Sequence, residues 1–516
     1  MSDSKSSDNL PWYAGVTSYQ WLVLVVCSLG WVFDVFEGQI FVASMRDAMP
    51  NLLGVGSADN PAVARWNNIA LASFLLGGAF GGVLFGVLSD KIGRSKTMII
   101  TILFYSVFTC ITALATEAWH MVVLRFLVAM GVGGEWAVAS AMVAEVMPKR
   151  SRPAMSSIFH ASSVFGTLLA TAVGVFILAK QPWGDKTWKL GFLIGVLPAL
   201  LVVVIRWRMR EPEQWTKARE EAKKDPKKAT GSIAELLQGP NLRVTLIGVA
   251  LATVGLITFW GCHIYGKNAL LRLEQNKAMV AEGFGPEVTN VETTEGIQSL
   301  HATAMEWLGP DGLAKMKDTR PEAASLLERQ AADLDGEDLK KYKGEAMKII
   351  KGRVFKKHHA PIKKAEMTSM TVNTIGGGLG LVLFGFFSNR WGRRGAFVFY
   401  HAGAVVMVLL LFLVLIPNGA SATTLTIVLP IFGFLTLGMH AGYAVYFPEL
   451  YPTRLRGSGT GFCFNMGRLG TALYLLIMAK LGWGPEKTAL YVAGIYVIGV
   501  VVALMGPETR GKELPE

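Results

Sequence analysis

The chain has 516 residues, of which 52% are hydrophobic and only 17% are charged, and its mean hydropathy is +0.39. Soluble globular proteins carry about 25% charged residues, so this composition excludes an ordinary soluble enzyme. The net charge of +12 is dispersed among separate loops without interleaved aromatic residues, which argues against a nucleic-acid-binding protein.

Apolar runs of about 20 residues, the length that an α-helix needs to cross a membrane, recur along the whole chain. The segment before the first run lacks the basic start and the cleavage site of a secretory signal, so we expect this run to remain as a membrane helix. Twelve membrane helices are predicted, near residues 20–43, 66–88, 97–115, 119–146, 154–178, 188–207, 242–265, 367–388, 395–416, 422–446, 457–481 and 487–506.

These helices form two halves of six, which are joined by a basic linker and flanked by short tails. A polar insertion with 17 basic and 16 acidic residues separates the seventh helix from the eighth, and its short periodic apolar pieces predict a helical domain. The boundaries are 1–19 for the N-terminal tail, 20–207 for the first half, 208–241 for the linker, 242–506 for the second half, 266–366 for the insertion within it, and 507–516 for the C-terminal tail.

Short loops on one side of the predicted bundle are rich in Lys and Arg, and such loops stay in the cytoplasm. We therefore expect both termini to be cytoplasmic, the insertion to lie outside, and the protein to reside in the inner or plasma membrane. The linker is suited to contact anionic membrane lipid. The cations that carry this prediction outside the linker are Lys91, Arg94, Lys96, Lys149, Arg150, Arg152, Arg390, Arg393, Arg394, Arg454 and Arg456.

An internal repeat relates the two halves. The sequence GGAFGGVLFGVLSDKIGR, residues 77–94, recurs as GGGLGLVLFGFFSNRWGR, residues 376–393, at an offset of 299. The pattern Glu-x-x-Pro-x-x-x-Arg occurs from Glu145 to Arg152 and again from Glu449 to Arg456. Both repeats predict halves related by an axis along the membrane normal, with a transporter's substrate site between them.

The repeated loops are candidates for a gate. Glycines 78, 82 and 86 form a small-residue stripe that permits close helix packing, which alone could be purely structural. Followed by Asp90, Gly93 and Arg94, the stripe predicts ion pairs that hold one state closed and break in the other. Asn389 replaces the aspartate in the second copy, so we expect a weaker electrostatic seam there. The other candidate gating residues are Glu145, Arg152, Arg393, Glu449 and Arg456.

Several features of the sequence resemble the major facilitator superfamily. They are the same loops, the glycine run after Arg125 (Gly131, Gly133 and Gly134) and the PETRG string at residues 507–511. The resemblance covers nearly the whole chain except the insertion and implies its all-α fold. The loop signatures are similar to those of sugar porters. The strings GVGGEWAVASAMVAEVMPKRSRP and FPELYPTRLRGSGTGFCFNMGRLG are more similar to proton-linked symporters of organic acids, including sialate and aromatic-acid carriers. The stretch from Thr253 to His263 lacks the Gln-rich signature of sugar porters.

Ionisable groups are costly inside a bilayer and mark candidate functional positions. Counting 1.5 Å per residue, Asp34 and Arg125 lie at similar depths, which predicts a contact between them. Matching positions in proton-coupled sugar porters form the proton switch, which is what the resemblance implies here; a static ion pair is the alternative. Glu37 lies one turn from Asp34 and would either join the coupling or extend outward. Glu135 and His160 also reach similar depths and could relay a proton.

Arg468 indicates the sign of the substrate. It lies near the middle of the eleventh helix without an acidic residue at similar depth in the second half, and a guanidinium in that setting favours an anion. Arg468 and Asn465 are therefore predicted to clamp a substrate carboxylate; backbone carbonyls or a carboxylate from the other half are the alternative partners. His160 lies where sugar porters carry a polar sugar-contacting residue. Further candidate pocket residues are Trp260, Asn373 and Tyr443.

The scattered histidines and cysteines show no metal-ligand spacing, and no clustered nucleophile and base suggests an enzyme. We therefore predict a secondary transporter that moves a small organic anion with protons by alternating access. Its partners are then the small-molecule substrate, protons and membrane lipids, with no cofactor, no metal and no nucleic acid, and we expect a monomer. Sugar transport, uncoupled facilitation and a transport-dead membrane sensor remain the alternatives.

Overall fold

The computed structural model describes residues 11–54, 61–180, 182–225, 229–481 and 485–516. Within these ranges the chain folds into long helices joined by short turns. Nine helical segments there are long and apolar enough to cross a membrane.

The first half contains six membrane helices, two of which are interrupted. The fifth breaks at Ser162 and the sixth breaks before Pro198. The helices are α1 (Ser18–Leu53), α2 (Pro61–Ile92), α3 (Arg94–Thr112), α4 (Ala118–Val146), α5 (Arg152–Ala161 and Ser163–Phe176) and α6 (Trp188–Ile194 and Ala199–Arg208).

The second half contains six more membrane helices, preceded by the linker helices Glu213–Lys224 and Ile233–Leu236. A single helical segment, His359–Leu409, contains both α8 and α9, which meet at Gly392. The remaining helices are α7 (Gly239–Thr258, extended by a π-helical turn at Phe259–His263), α10 (Ala422–Gly438 and Ala441–Tyr446), α11 (Arg456–Leu481) and α12 (Pro485–Met505).

The predicted twelve-helix layout is thus confirmed, although individual boundaries differ. Thr17 caps the N-terminus of α1 together with Gln20, and α1 then continues to Leu53, ten residues beyond its predicted end. The nine segments do not include the broken α6 or α11, and the segment His359–Leu415 holds two helices. Helix length and hydropathy identify apolar runs. The structure adds that the run of α6 is interrupted and that α8 and α9 form one helical segment.

Glycines of the repeat allow the same close helix contact in both halves. A Cβ atom on Gly77 or Gly81 would overlap the backbone of α4, and one on Gly376 or Gly380 would overlap the backbone of α10. The α2–α4 and α8–α10 pairs therefore pack backbone to backbone, as small residues permit in membrane helices. Each half thus contains the same closely packed helix pair.

The insertion forms a helical domain with its own apolar contacts. One cluster is built around Leu300, Ala346 and Ile350. At the base of the domain, Lys357 and His358 donate hydrogen bonds to Glu282, each at 2.8 Å, and they hold the pKa of this carboxyl below its usual range. The helices of the domain are Ala269–Ala281, Pro286–Thr289, Thr294–Thr319, Pro321–Leu327 and Gly336–Lys357.

Candidate functional site

A buried ion pair lies between α1 and α4 in the first half. Nη1 of Arg125 donates to Oε1 of Glu37 at 2.6 Å, and Nη2 donates to Oγ1 of Thr112 at 3.1 Å. The rings of Phe41 and Phe192 lie 5.4 and 4.9 Å from the guanidinium carbon. The predicted contact between Asp34 and Arg125 is therefore wrong, because the acid one turn further along α1 occupies that position.

Asp34 instead belongs to a second group of buried acids. Its side chain is 1% exposed. Among the described residues neither carboxylate oxygen has a partner in full hydrogen-bond geometry, and the hydroxyl of Tyr105 is the donor that lies near it. Its charged and polar neighbours are Glu135, Arg468 and Tyr105. A buried carboxylate in this state is costly, so Asp34 remains a candidate for the predicted proton coupling.

Glu135 lies close to α1 and α3. Its Oε2 accepts a hydrogen bond from Thr101 at 2.5 Å, and its Oε1 would lie 2.9 Å from a Cβ atom on Gly30. Gly30 precedes Asp34 by one helical turn, so Gly30 and Asp34 lie on the same face of α1, the face next to α4. The predicted pairing of Glu135 with His160 is wrong, since Glu135 bonds Thr101 and the ring of His160 bonds Trp136.

His160 is held between two tryptophans. Nε1 of Trp136 donates to Nδ1 of His160 at 3.1 Å, and Nε1 of Trp31 donates to its backbone carbonyl at 3.1 Å. Because indole can only donate, Nδ1 must be the unprotonated ring nitrogen. Trp136 also stacks on Phe464 of α11 with a centroid separation of 4.0 Å, so this aromatic group spans both halves.

Arg468 lies next to the aromatic group, with its guanidinium carbon 5.2 Å from the ring centroid of Phe464. It reaches across to α2, where Nη1 would clash with a Cβ atom on Gly78. Among the described residues no hydrogen bond or ion pair joins it to a partner, and the acid that interacts with its charge is Asp34 of the first half. It keeps partial solvent accessibility. A cation that is deep in the bundle, accessible and without a bonded carboxylate can receive an anion.

The other predicted pocket residues have different surroundings. Nδ2 of Asn465 donates to the carbonyl of Gly461 at 2.8 Å, while its Oδ1 has no partner among the described residues. The hydroxyl of Tyr443 donates to the carbonyl of Leu251 at 3.2 Å. These two side chains face the helices that surround Arg468, and only Asn465 keeps a free polar atom.

Two candidates lie apart from Arg468. Asn373 donates to the carbonyl of Leu429 at 3.3 Å and fills the space beside Gly433, so it joins α8 to α10. Trp260 is 38% exposed and contacts Phe259 edge to face at 5.7 Å. Within the described ranges, no group of three His, Cys, Asp or Glu side chains is arranged to hold a metal ion.

The gate residues of the first half form a buried clamp. Arg94 donates to both oxygens of Glu145, at 3.1 and 2.7 Å, and to Asp90 at 2.9 Å. Gly93 precedes it with φ of 114°, a conformation that favours glycine. The carboxylate of Glu211 then accepts the backbone N–H groups of Arg94 at 2.6 Å and of the next two residues at 3.3 Å, and it therefore caps α3.

The second half repeats this clamp. Arg393 donates to both oxygens of Glu449, at 2.8 and 2.7 Å. Gly392 has φ of 81°, and Glu508 accepts the backbone N–H of Arg393 at 3.0 Å and that of Arg394 at 3.2 Å. Sequence reasoning missed the capping role of both Glu211 and Glu508. Their separation of 297 residues is within two residues of the repeat offset of 299, and each adjoins a proline, so comparison of the halves beyond the sixth helix could have revealed them.

Hydrogen bonds between the halves gather at the end of the bundle that carries these loops, which we call the motif side. Asp90 accepts hydrogen bonds from the backbone of Gly457 at 3.0 Å and from the backbone and hydroxyl of Ser458 at 2.8 and 2.6 Å. Arg456 donates to Glu145 at 2.8 Å. On the opposite seam, Asn389 donates to the carbonyl of Arg150 at 3.3 Å. The structure is therefore closed on the motif side.

Arg152 occupies the position in the first half that Arg456 has in the second. It is buried, and Glu449 is the charged group that interacts with it most strongly. Nevertheless, no hydrogen bond joins Arg152 to Glu449 among the described residues, and its Nε has no partner there. The two seams thus differ twice. Asp90 in one is Asn389 in the other, and Arg456 bonds Glu145 whereas Arg152 makes no such bond to Glu449 within the described ranges.

Comparison with known proteins connects this architecture to transport. The sequence profile of the family described as "Sugar (and other) transporter" matches residues 24–254 and 358–516, which leaves out most of the insertion. The chain is 24% identical to a cis,cis-muconate transport protein of Acinetobacter baylyi over 85% of each chain. It is also 24% identical to a sialic acid transporter of Escherichia coli over 95% of this chain and 91% of that protein.

A solved structure shares the fold. The major facilitator superfamily proton:xylose symporter XylE of E. coli, bound to 6-bromo-6-deoxy-D-glucose, superimposes with a TM-score of 0.65 at 16% sequence identity. The superposition covers 96% of this chain and 98% of that chain. At this identity the likeness concerns the arrangement of helices only.

Proposed function

The chain belongs to the family of sugar and other transporters, a group of multi-pass membrane transporters and not enzymes, and from this premise we propose that it carries a small organic anion together with protons. Transport occurs by alternating access, in which the two halves rock about a central site. The motif side is the cytoplasmic side, because its loops hold most of the short-loop cations.

Arg468 is the observation that carries the anion proposal. The guanidinium reaches from α11 to Gly78 of α2 and has no bonded carboxylate among the described residues. A substrate carboxylate bound there would satisfy it through two parallel hydrogen bonds, which a guanidinium is shaped to make. The named substrates of the two relatives, cis,cis-muconate and sialic acid, are both organic acids.

Asp34 supplies the coupling in this proposal. Its charge interacts with that of Arg468 across the two halves, although no ion pair joins them, and its oxygens make no hydrogen bond of full geometry among the described residues. When Asp34 is ionised, it balances the charge of Arg468. Protonation removes that negative charge and frees Arg468 for a substrate carboxylate, so proton and anion bind together. Glu135 lies beside Asp34 and can exchange the proton with it.

The Glu37–Arg125 pair is a second protonatable group. Its 2.6 Å contact separates when Glu37 takes up a proton, because the neutral acid no longer attracts the guanidinium. The pair joins α1 to α4 within one half. We therefore assign it to positioning α1, on which Asp34 lies, and place the direct competition for Arg468 at Asp34 alone.

Uptake into proteoliposomes tests the proposal. Labelled cis,cis-muconate, an aromatic acid, sialate and a hexose would be supplied with an imposed inward proton gradient. We expect gradient-driven uptake of at least one acid by the wild type. Arg468→Ala should abolish it, because the substrate carboxylate loses its guanidinium. Arg468→Lys retains the positive charge but lacks the paired N–H groups of the guanidinium. It should therefore lower the affinity for the acid while preserving some uptake.

Asp34→Asn separates coupling from binding. The amide imitates the protonated acid, so exchange of internal for external substrate should persist while uptake driven by the proton gradient is lost. Asp311→Asn, at an exposed position of the insertion, is the matched control. Acid uptake that survives Arg468→Ala, or gradient-driven uptake that survives Asp34→Asn, would contradict the respective assignment.

Sugar transport is the second candidate, because the matched family includes sugar carriers. The same experiment separates the two candidates. Uptake of the neutral hexose that is unaffected by Arg468→Ala would favour the sugar carrier, since a hexose has no carboxylate for the guanidinium to bind.

A further inference from the structure

An apolar groove lies on the side of the bundle, outside the central site. It has a volume of about 680 Å³ and is walled by α1 and α5 of the first half and by α8 of the second. Its walls are open to the surroundings, since Phe165 is 65% exposed and Leu379 is 56% exposed. All three helices lie in segments able to span a membrane, so the groove opens toward lipid.

The dimensions of the groove fit one membrane leaflet. Along α1 it runs from Trp21 to Val32, a rise of about 16 Å at 1.5 Å per residue, and half of a hydrocarbon core of about 30 Å is about 15 Å. At its motif-side end, Trp12 contacts Phe386 edge to face at 5.6 Å and Trp21 at 6.3 Å. Tryptophans favour the depth of lipid headgroups, so this end lies at the membrane surface.

We propose that this groove binds one acyl chain of a phospholipid from the motif-side leaflet. Water is excluded from an apolar groove at this depth, and walls facing a void would lose their dispersion contacts. A flexible hydrocarbon chain restores these contacts, with its headgroup beside the tryptophans. Since the walls belong to both halves, the bound chain supports the closed arrangement of the motif side and must move when the halves rock.

Gly378 offers a way to fill the groove without disturbing the helices. A Cβ atom there would meet only Val164, at an ordinary distance of 3.7 Å, so a side chain at this position extends into the groove. Gly494 of α12 is the matched control, because it is exposed and a Cβ atom there would meet nothing within 4 Å.

The test is to count phospholipids retained by the full chain after partial delipidation in detergent, using native mass spectrometry and dioleoyl phosphatidylethanolamine and phosphatidylglycerol. We expect the wild type and Gly494→Leu to retain one more lipid than Gly378→Leu. Gly378→Ala should show an intermediate loss, and its small side chain keeps the fold intact. The readout needs no substrate, so it is independent of the proposed transport.

Two results would overturn the proposal. Equal lipid retention by the wild type, Gly378→Ala and a folded Gly378→Leu would show that the groove holds no chain. A wild-type dimer that Gly378→Leu converts to a monomer would show that a second copy of the protein covers the groove instead.

Discussion

The motif sides of the two halves carry the same clamp but different seams. In each half an arginine binds both oxygens of a glutamate, and a second glutamate caps the following helix. Only the first half adds a carboxylate, Asp90, that accepts three hydrogen bonds from α11 of the other half. The duplicated clamp therefore mainly maintains the shape of each half. The unduplicated carboxylate of Asp90 holds the halves together, with the bonds from Arg456 to Glu145 and from Arg94 to Thr453 beside it.

This difference assigns separate roles to residues of one motif. Arg94 and Arg393 bind carboxylates of their own half, although Nη2 of Arg94 also donates to the carbonyl of Thr453 in the second half at 3.0 Å. Their loss should therefore chiefly unfold the protein locally. Asp90 pairs with Arg94 of its own half but accepts three hydrogen bonds from the other half, so its loss should shift the balance between closed and open states. The following experiments test that separation, from the largest expected effect to the smallest.

Replacing the clamp arginines should have the largest effect. Removing one member of a buried ion pair costs about 3–5 kcal/mol in the free energy of unfolding. We expect Arg94→Ala to be more damaging than Arg393→Ala, because Arg94 has two carboxylate partners and Arg393 has one. Thermal unfolding in detergent would measure both. Equal loss in the two variants would show that the Asp90 contact adds nothing to the first clamp.

Replacing Asp90 with Asn should open the motif side while leaving the halves folded. Loss of the charge-assisted bonds corresponds to about 1.5–3 kcal/mol, or about tenfold to a hundredfold in the open fraction. Ser140 bonds Ala444 of the other half, so a Ser140→Cys reporter should react faster with a water-soluble thiol reagent. The four native cysteines, which are free, would first be replaced by serine. An unchanged reaction rate would remove Asp90 from the gate.

Replacing Glu508 with Gln tests the cap of the second half. Burial opposes ionisation of Glu508, but the backbone N–H groups of Arg393, Arg510 and Arg394 outweigh it and lower the pKa of the carboxyl. Its contribution to stability is therefore complete above its usual pKa and is lost as the pH falls through the lowered value.

At pH 7 we expect Glu508→Gln to lower the free energy of unfolding by about 0.3–1 kcal/mol, because the neutral amide interacts more weakly with the N-terminus of α9. The stability difference from the wild type should shrink toward zero as acid protonates the native carboxyl. Thermal unfolding between pH 7 and pH 3 would measure this. A difference that persists unchanged in acid would indicate that packing, and not charge, is what the glutamine alters.

Replacing Asn389 with Ala should have the smallest effect. Its single hydrogen bond to the carbonyl of Arg150, at 3.3 Å, lies at an exposed position, and such a bond contributes about 0.5–1 kcal/mol. The labelling rate of Ser140→Cys should stay within about threefold of its value in the parent. An opening as large as that of Asp90→Asn would mean that the two seams are equivalent after all.

Much of the architecture follows from the sequence because membrane-spanning helices must satisfy their own backbone hydrogen bonds and be long enough to cross the bilayer. Apolar runs therefore predict the helices, and the repeat at an offset of 299 predicts the two halves and their gate loops. The weaker second seam also follows from the substitution of Asn389 for Asp90. Each of these features depends on local composition or on comparison of one half with the other.

The pairing of buried charges depended on the tertiary structure. Depth along a helix restricts a side chain to a level of the membrane, but one helical turn separates Asp34 from Glu37, and rotation of α1 decides which of them reaches Arg125. The contact of Arg468 with α2 likewise depends on how closely α11 approaches Gly78, which only the packing of the two halves determines. The sequence thus determined the helices and their repeat, whereas the structure decided partners, because side-chain contacts require both depth and azimuth.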